Sequence, residues 1–301
     1  MSKLKPWISA MRLRTLPLSV SGVVIGTCLA YYNGAFNWGV FILAIMVTIA
    51  LQILSNLAND YGDGVKGTDN NERLGPKRAI QSGAISPQDM IEAIKMNILI
   101  IIFLVLALLF FAFGFTNFLY VLLFVGLGGL SVFAAITYTM GDSPYGYKAL
   151  GDVFVFIFFG LLSVIGTYFL NVKQLDHLVL LPAISLGMLS MAVLNLNNMR
   201  DIDSDEKSGK ITVAVKLGLN KAKQYHYILV SGAMLLTTIF FVLYYVSMYN
   251  ALVFIAFIPL LMHLRTVSRT NKPEAFDKQL KVLALSTFVF SLLLGIGYIL
   301  F

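Results

Sequence analysis

Charge is what this 301-residue chain lacks most. Asp, Glu, Lys and Arg together make up 12% of it, about half of the roughly 25% usual in soluble domains. Cysteine is nearly absent: Cys28 stands alone, which excludes an intrachain disulfide and any cysteine-built metal site. Histidine is scarce as well. His177, His226 and His263 are separated along the chain with no second ligand at metal spacing, so they read as structural side chains. No A-x-A-like cleavage site follows the basic start and first apolar stretch, which predicts a retained helix instead of a removed signal peptide.

What the chain has in place of charge is apolar length. Hydrophobic residues make up 58% of it and the mean hydropathy is +0.82, a composition that cannot clothe a water-facing surface. The reading is an all-α polytopic membrane protein, one transmembrane domain over 1–301. A bilayer-spanning helix needs about 20 apolar residues. Such runs fall at 16–34, 38–58, 93–113, 117–140, 150–170, 178–198, 226–246, 249–265 and 281–301, predicting about nine helices.

The basic residues set the orientation, because cytoplasmic loops near helix ends retain Lys and Arg. With the N-terminus inside, every Lys and Arg except Lys173 lies on one side, and Asp176 is the one carboxylate on the other. The net charge of +7 then reflects topology and attraction to anionic headgroups of membrane lipid, not a nucleic-acid footprint. The two longest polar stretches, 60–89 and 201–224, are read as cytoplasmic loops.

Those stretches open alike, with NLANDYGDGVKGTD after the second apolar run and NLNNMRDIDSDEKSGK after the sixth. If the helices continue, Asn59 and Asp63 share one face at i and i+4, and so do Asp201 and Asp205. Like charges so close repel unless a cation sits among them. Clustered hard oxygens suit Mg²⁺, which keeps waters and is commonly shared with substrate phosphates. The expected ligand is therefore a diphosphate, with Lys66, Arg73, Lys77, Arg78, Arg200 and Lys210 available to its oxygens. Asp201, Asp203 and Asp205 superficially match an EF-hand start, but Glu206 stands where that loop needs Gly and Thr212 where it needs Glu. TYTMGDSPYGYKALGD places Tyr138, Tyr145 and Tyr147 beside an inner loop. Their faces could stabilise a developing cation by about 1–2 kcal/mol when desolvated, or simply pack in the interfacial belt.

The paired acidic motifs on helices two and six resemble the UbiA superfamily of intramembrane prenyltransferases. MRLRTLPLSV, GPKRAIQSG, ITYTMGDSPYGYKALGD and NNMRDIDSDEKSGKITVAVKLG are similar to its branch that uses 1,4-dihydroxy-2-naphthoate, over nearly the whole chain. The resemblance implies helices around a central cavity with cytoplasmic cap loops in the bacterial inner membrane. It implies transfer from polyprenyl diphosphate to 1,4-dihydroxy-2-naphthoate with loss of CO₂, giving demethylmenaquinone, and two Mg²⁺ ions bridged by diphosphate. It carries the metal ligands onto Asn59, Asp63, Asp69, Asp201 and Asp205, with Asp63, Asp201 and Asp205 as the catalytic acids and Asn198 and Lys210 flanking the second motif. Asp60 has no assigned role, and the family's Tyr-x-x-x-Lys pattern does not map onto 138–148, so Lys148 has none either. Two other readings are an enzyme for another aromatic acceptor, such as 4-hydroxybenzoate, and a secondary transporter using intramembrane acids.

The charge asymmetry makes a direct prediction. Single cysteines introduced at Asn33 and Tyr249 should react with an impermeant thiol reagent added outside, and one at Ser82 should not. Outside labelling at Ser82 would reverse the orientation.

Overall fold

The computed structural model describes residues 4–69 and 74–300; Lys3 and Arg73, both counted above, lie outside them. Among the described residues nine helices are long and apolar enough to cross a membrane, and they are labelled in order: α1 Leu4–Tyr32, α2 Trp38–Val65, α3 Pro87–Phe113, α4 Phe118–Thr137, α5 Gly151–Val172, α6 His177–Arg200, α7 Val213–Leu243, α8 Met248–Arg269 and α9 Pro273–Ile299. The chain is therefore an all-helical, multi-pass membrane protein.

Local chemistry sets the helix starts. Asn37 accepts from Gly39 and Val40 N–H at the head of α2, Ser86 from Asp89 N–H before Pro87, and Thr212 from Val215 N–H; each satisfies donors that a helix N-terminus leaves open. Hydropathy alone placed several starts late: α3 begins at Pro87 and not at 93, and α9 at Pro273 and not at 281. The seventh helix begins at Val213 and not at 226, its first turns carrying Lys216, Lys221 and Lys223 below the apolar stretch, with a break at Gly218 (φ 72°, ψ 158°) setting 213–217 off from the rest. Much of 201–224 is accordingly helix, including a short helix Ile202–Lys207, instead of an open loop.

Two apolar cores stand apart. One joins α1 and α5 to α9 through Leu29, Tyr168, Leu186, Phe240 and Phe290. The other joins α2, α3 and the N-terminal arm Leu4–Met11 through Ala10, Leu54, Leu57, Met90 and Ile101. A third cluster, with Val23, Ala44, Leu108, Leu109 and Leu170, connects them at one end. The space left between the cores is the central cavity.

Within α5, Phe156–Gly166 is wound as a π-helix, a wider coil that recurs at functional sites. It turns Phe158, Phe159, Leu162 and Ser163 into the cavity wall. Small residues let its neighbours close on it: a Cβ on Gly160 would lie 2.5 Å from Gly187 Cα on α6, and one on Gly22 of α1 2.0 Å from Ser163 Oγ. In lipid such close backbone approach supplies much of the helix association. Gly160→Val should therefore lower stability by about 1–3 kcal/mol in thermal unfolding in detergent. Gly126→Ala, which meets nothing within 4 Å, is the matched control, and equal melting of the two variants would refute the tight α5–α6 contact.

Candidate functional site

The cavity, about 1040 Å³, runs along the face of α2 that carries Ala44, Thr48, Gln52, Ser55, Asn59 and Asp63. At the α helical rise of 1.5 Å per residue that face is about 28 Å long. The deep end abuts the third apolar cluster through Val23, Ala44, Leu108, Leu109 and Leu170. At the other end stand Asn59, Asp60, Asp63, Arg78, Asn197, Arg200 and Lys210. The trench is apolar at its floor and charged at its mouth.

Beside the mouth is a small pit of about 20 Å³, lined by Asp63, Thr68, Asp69, Arg78, Asn197, Asp201, Ser204, Asp205 and Lys210. It brings together four acids from two motifs more than a hundred residues apart. The backbone explains how. The Asp63 carbonyl accepts from Thr68 and Asp69 N–H at 3.0 and 3.3 Å, folding Asp69 back beside Asp63. Asp201 ends α6, and the Asp205 N–H bonds its carbonyl at 2.8 Å, so helical spacing persists through the break. Asp203 points to solvent while Asp201 and Asp205 are buried, as expected for one helix face.

Each of the four acids lining the pit meets a cation. Lys210 Nζ lies 3.6 Å from Asp63 and 3.7 Å from Asp205, bridging the motifs. Burial works to lower its pKa, but Asp63 and then Asp205 outweigh this and hold it above the ordinary lysine range. Arg200 forks onto Asp201 at 2.9 and 2.6 Å and reaches Asp277 at 2.6 Å. Arg78 Nε is 3.6 Å from Asp69; its Nε and Nη1 are buried without a hydrogen-bond partner among the described residues.

Three neighbours hold this arrangement. Asp60 accepts from Ala79 and Ile80 N–H at 3.1 and 3.2 Å, pulling the following loop over α2 and setting Arg78 at the pit. Tyr147 donates to Asp63 at 2.9 Å and shares a 2.5 Å hydrogen bond with Thr68; burial, reinforced by Asp63, raises its pKa. An isolated parallel bridge joins Lys148 to Ile211, which brings the Tyr147 loop and the Lys210 turn together. The Lys148 side chain turns away to Ser143.

The other expected residues divide. Tyr138 and Tyr145 line the cavity, with their rings 5.3 Å apart edge to face, and burial pushes the Tyr138 pKa up to about 12. Asn59 lines the cavity but not the pit, and accepts from Thr139 at 3.3 Å. Lys66 is turned onto the Thr139 and Gly141 carbonyls and lines neither space. Asn198 is buried away from both, whereas Asn197 lines both. The signal for Asn197 was in the sequence: it precedes Asp201 by four residues, as Asn59 precedes Asp63. His226 and His263 are not isolated in space, since the antiparallel course of α7 and α8 sets their Nε2 atoms 2.9 Å apart, with Gln279 2.8 Å from His263 Nδ1. They serve there as a buried structural link.

Among the described residues no three His, Cys, Asp or Glu groups close around a single point as a complete metal cage. The donors present are carboxylate and amide oxygens around a water-sized pit. That set fits a hard divalent ion that draws the rest of its shell from water and phosphate oxygens.

The UbiA prenyltransferase family model matches residues 19–292. A relative from Escherichia coli K12, 1,4-dihydroxy-2-naphthoate octaprenyltransferase, is 40% identical over 98% of this chain and 96% of its own. The apo structure of a UbiA homologue from Aeropyrum pernix K1 superposes with a TM-score of 0.71 at 17% identity, covering 96% of this chain and 98% of that one. A UbiA homologue from Archaeoglobus fulgidus bound to GPP and Mg²⁺ gives 0.68 at 13% identity, covering 98% and 100%. The two solved structures share the fold.

The bridging ammonium yields a prediction. Lys210→Met leaves Asp63 and Asp205 facing each other in a buried site and should destabilise the protein by roughly 3–5 kcal/mol in metal-free detergent, with Mg²⁺ recovering part of the loss. An unchanged melting temperature without metal would mean that Lys210 does not hold the motifs together.

Proposed function

The chain belongs to the UbiA prenyltransferase family, and from that premise we propose that it transfers a polyprenyl group from polyprenyl diphosphate to 1,4-dihydroxy-2-naphthoate. The products are the prenylated 1,4-dihydroxynaphthalene, which is demethylmenaquinol, the hydroquinone form of demethylmenaquinone, together with diphosphate and CO₂, a step of menaquinone biosynthesis. The observation that carries this reading is one cavity running from an apolar floor to a charged mouth, whose Asp63, Arg78, Asn197 and Lys210 also line the acidic pit. A donor with a long hydrocarbon tail and an anionic head has that polarity, and a cavity ending against packed apolar residues offers no path across the membrane. The near full-length likeness to the Escherichia coli octaprenyltransferase supports naphthoate as the acceptor.

The tail lies along α2, and the diphosphate head sits at the pit, where Arg78 and Lys210 hold its oxygens. Asp63, Asp69, Asp201 and Asp205, with Asn59 at the mouth, would hold two Mg²⁺ ions, which would supply neutralisation of the charge on the departing diphosphate. Tyr138 and Tyr145 present ring faces beside the carbon that becomes cationic as its C–O bond breaks. Packed side chains exclude water, so the electron-rich naphthoate ring is the available nucleophile. The ring forms the new C–C bond and gives up its carboxyl group as CO₂. The pit faces the cytoplasm of a bacterial inner membrane, on the side where the basic residues collect.

Purified protein given polyprenyl diphosphate and 1,4-dihydroxy-2-naphthoate should release diphosphate and CO₂ only when a divalent metal is present. Asp63→Ala and Asp205→Ala should each lower kcat about 10²–10³-fold, the range for losing one preorganised charge-stabilising group. Diphosphate without CO₂, formed with 4-hydroxybenzoate but not naphthoate, would reassign the acceptor. Full activity in either variant would remove that Asp from the machinery.

A further inference from the structure

The break in α1 deserves a cause. After the arm Leu4–Met11 the chain passes through Arg12 in the left-handed region, φ 48° and ψ 54°, before α1 resumes at Leu16. An arginine adopts that conformation at some cost, so other contacts must fix it. The end of the arm also leaves carbonyls without helical donors.

Asn56 supplies what is missing. It is buried on α2, 3% exposed, and its Nδ2 donates to the Met11 carbonyl at 2.9 Å and to Thr15 Oγ1 at 3.3 Å. Thr15 Oγ1 donates to the Arg12 carbonyl at 3.0 Å, closing the turn. Gln52 Nε2 donates to Asn56 Oδ1 at 3.3 Å and orients the amide. Trp7 and Ala10 dock the arm on the apolar face shared with Leu54 and Leu57. The amide is thus a polar attachment of a segment whose Trp7 and Ala10 are held by apolar contacts.

What the attachment holds is a wall. Ile8, Ser9, Arg12, Arg14 and Thr15 line the cavity, whereas Asn56 does not. Asn56 sits on the same helix as Asn59 and Asp63, so the wall is referenced directly to the pit. We propose that Asn56 is a positioning residue that latches the N-terminal arm over the cavity and keeps water from the reacting carbon.

The inference rests on the proposed prenyl transfer for its chemical readout. If the arm loosens, the donor C–O bond still breaks and diphosphate leaves with the electron pair. The oxygen of a water molecule then bonds to the allylic carbon and releases a proton, giving a free prenol in place of the prenylated ring. A second readout does not need the reaction. In a Cys28→Ser background, a cysteine placed at Ala10, which is 2% exposed on the docked face of the arm, reports how often the arm opens to a soluble maleimide.

Asn56→Ala should raise the prenol-to-prenylated-ring ratio and the Ala10→Cys labelling rate, each about fivefold, the opening expected from losing one net hydrogen bond. Asn56→Gln, which keeps the donor, should return both part of the way. Thr15→Val removes one acceptor and serves in the same two assays if Asn56→Ala does not fold. Unchanged labelling, or faster labelling with an unchanged ratio, overturns the latch. If labelling rises but the parent protein makes no prenylated product with any acceptor, the latch stands as an opening device and the prenyl-transfer reading fails.

Discussion

Buried charge has to be balanced where the helices end, and the rest of this site follows from that constraint. Asp63 lies in the last turn of α2, and Asp201 caps the end of α6. Both are C-terminal helix ends, where the helix dipole already presents negative charge and a carboxylate is placed against it. Apolar surroundings weaken screening and raise the penalty further. Such positions are poor for acids alone and good for cations. Lys210, Arg200 and Arg78 stand against the acids of the pit and offset that penalty.

Four carboxylates line the pit, and Arg200, which is paired with Asp201, is shared with Asp277. An anionic diphosphate entering alone would meet repulsion from Asp63 and Asp205, so its binding has to be coupled to cations. A protein-closed metal cage is not needed for that coupling, and among the described residues none is built. The ligand's own oxygens complete the shell.

The parts of this arrangement legible in the sequence were those encoded by local period. Nine apolar runs and the i, i+4 spacing of Asn59 with Asp63 and of Asp201 with Asp205 depend on one helix at a time. What was hidden depended on neighbours. Asp60 looks equivalent to Asp63 in NLANDYGD, yet it faces the 79–80 backbone and Asp63 faces Lys210. Lys66 follows the first motif closely enough to be read as a phosphate ligand, but bare carbonyls at Thr139 and Gly141 claim it. The His226–His263 link and the π-wound stretch of α5 are tertiary consequences that no single-helix pattern contains. The start of α7 was misjudged because hydropathy measures the membrane, not the helix.

The same reasoning explains why one apolar trench and one charged pit share a wall. A carbocation that is to wait for an aromatic ring needs low water activity, but its leaving group needs strong electrostatic stabilisation. Low dielectric serves both, because excluding water removes the competing nucleophile and strengthens every fixed charge around the pit. The difficulty is mechanical: charges that strong must not pull the mouth open to solvent. Here the closing elements are tied by neutral hydrogen bonds and backbone contacts, Asp60 apart: the Lys148–Ile211 bridge, the Tyr147–Thr68 pair and the Asn56 amide on the arm. The neutral ties keep their partners when a charged ligand arrives, so the wall can stay closed while the ion pairs inside it rearrange.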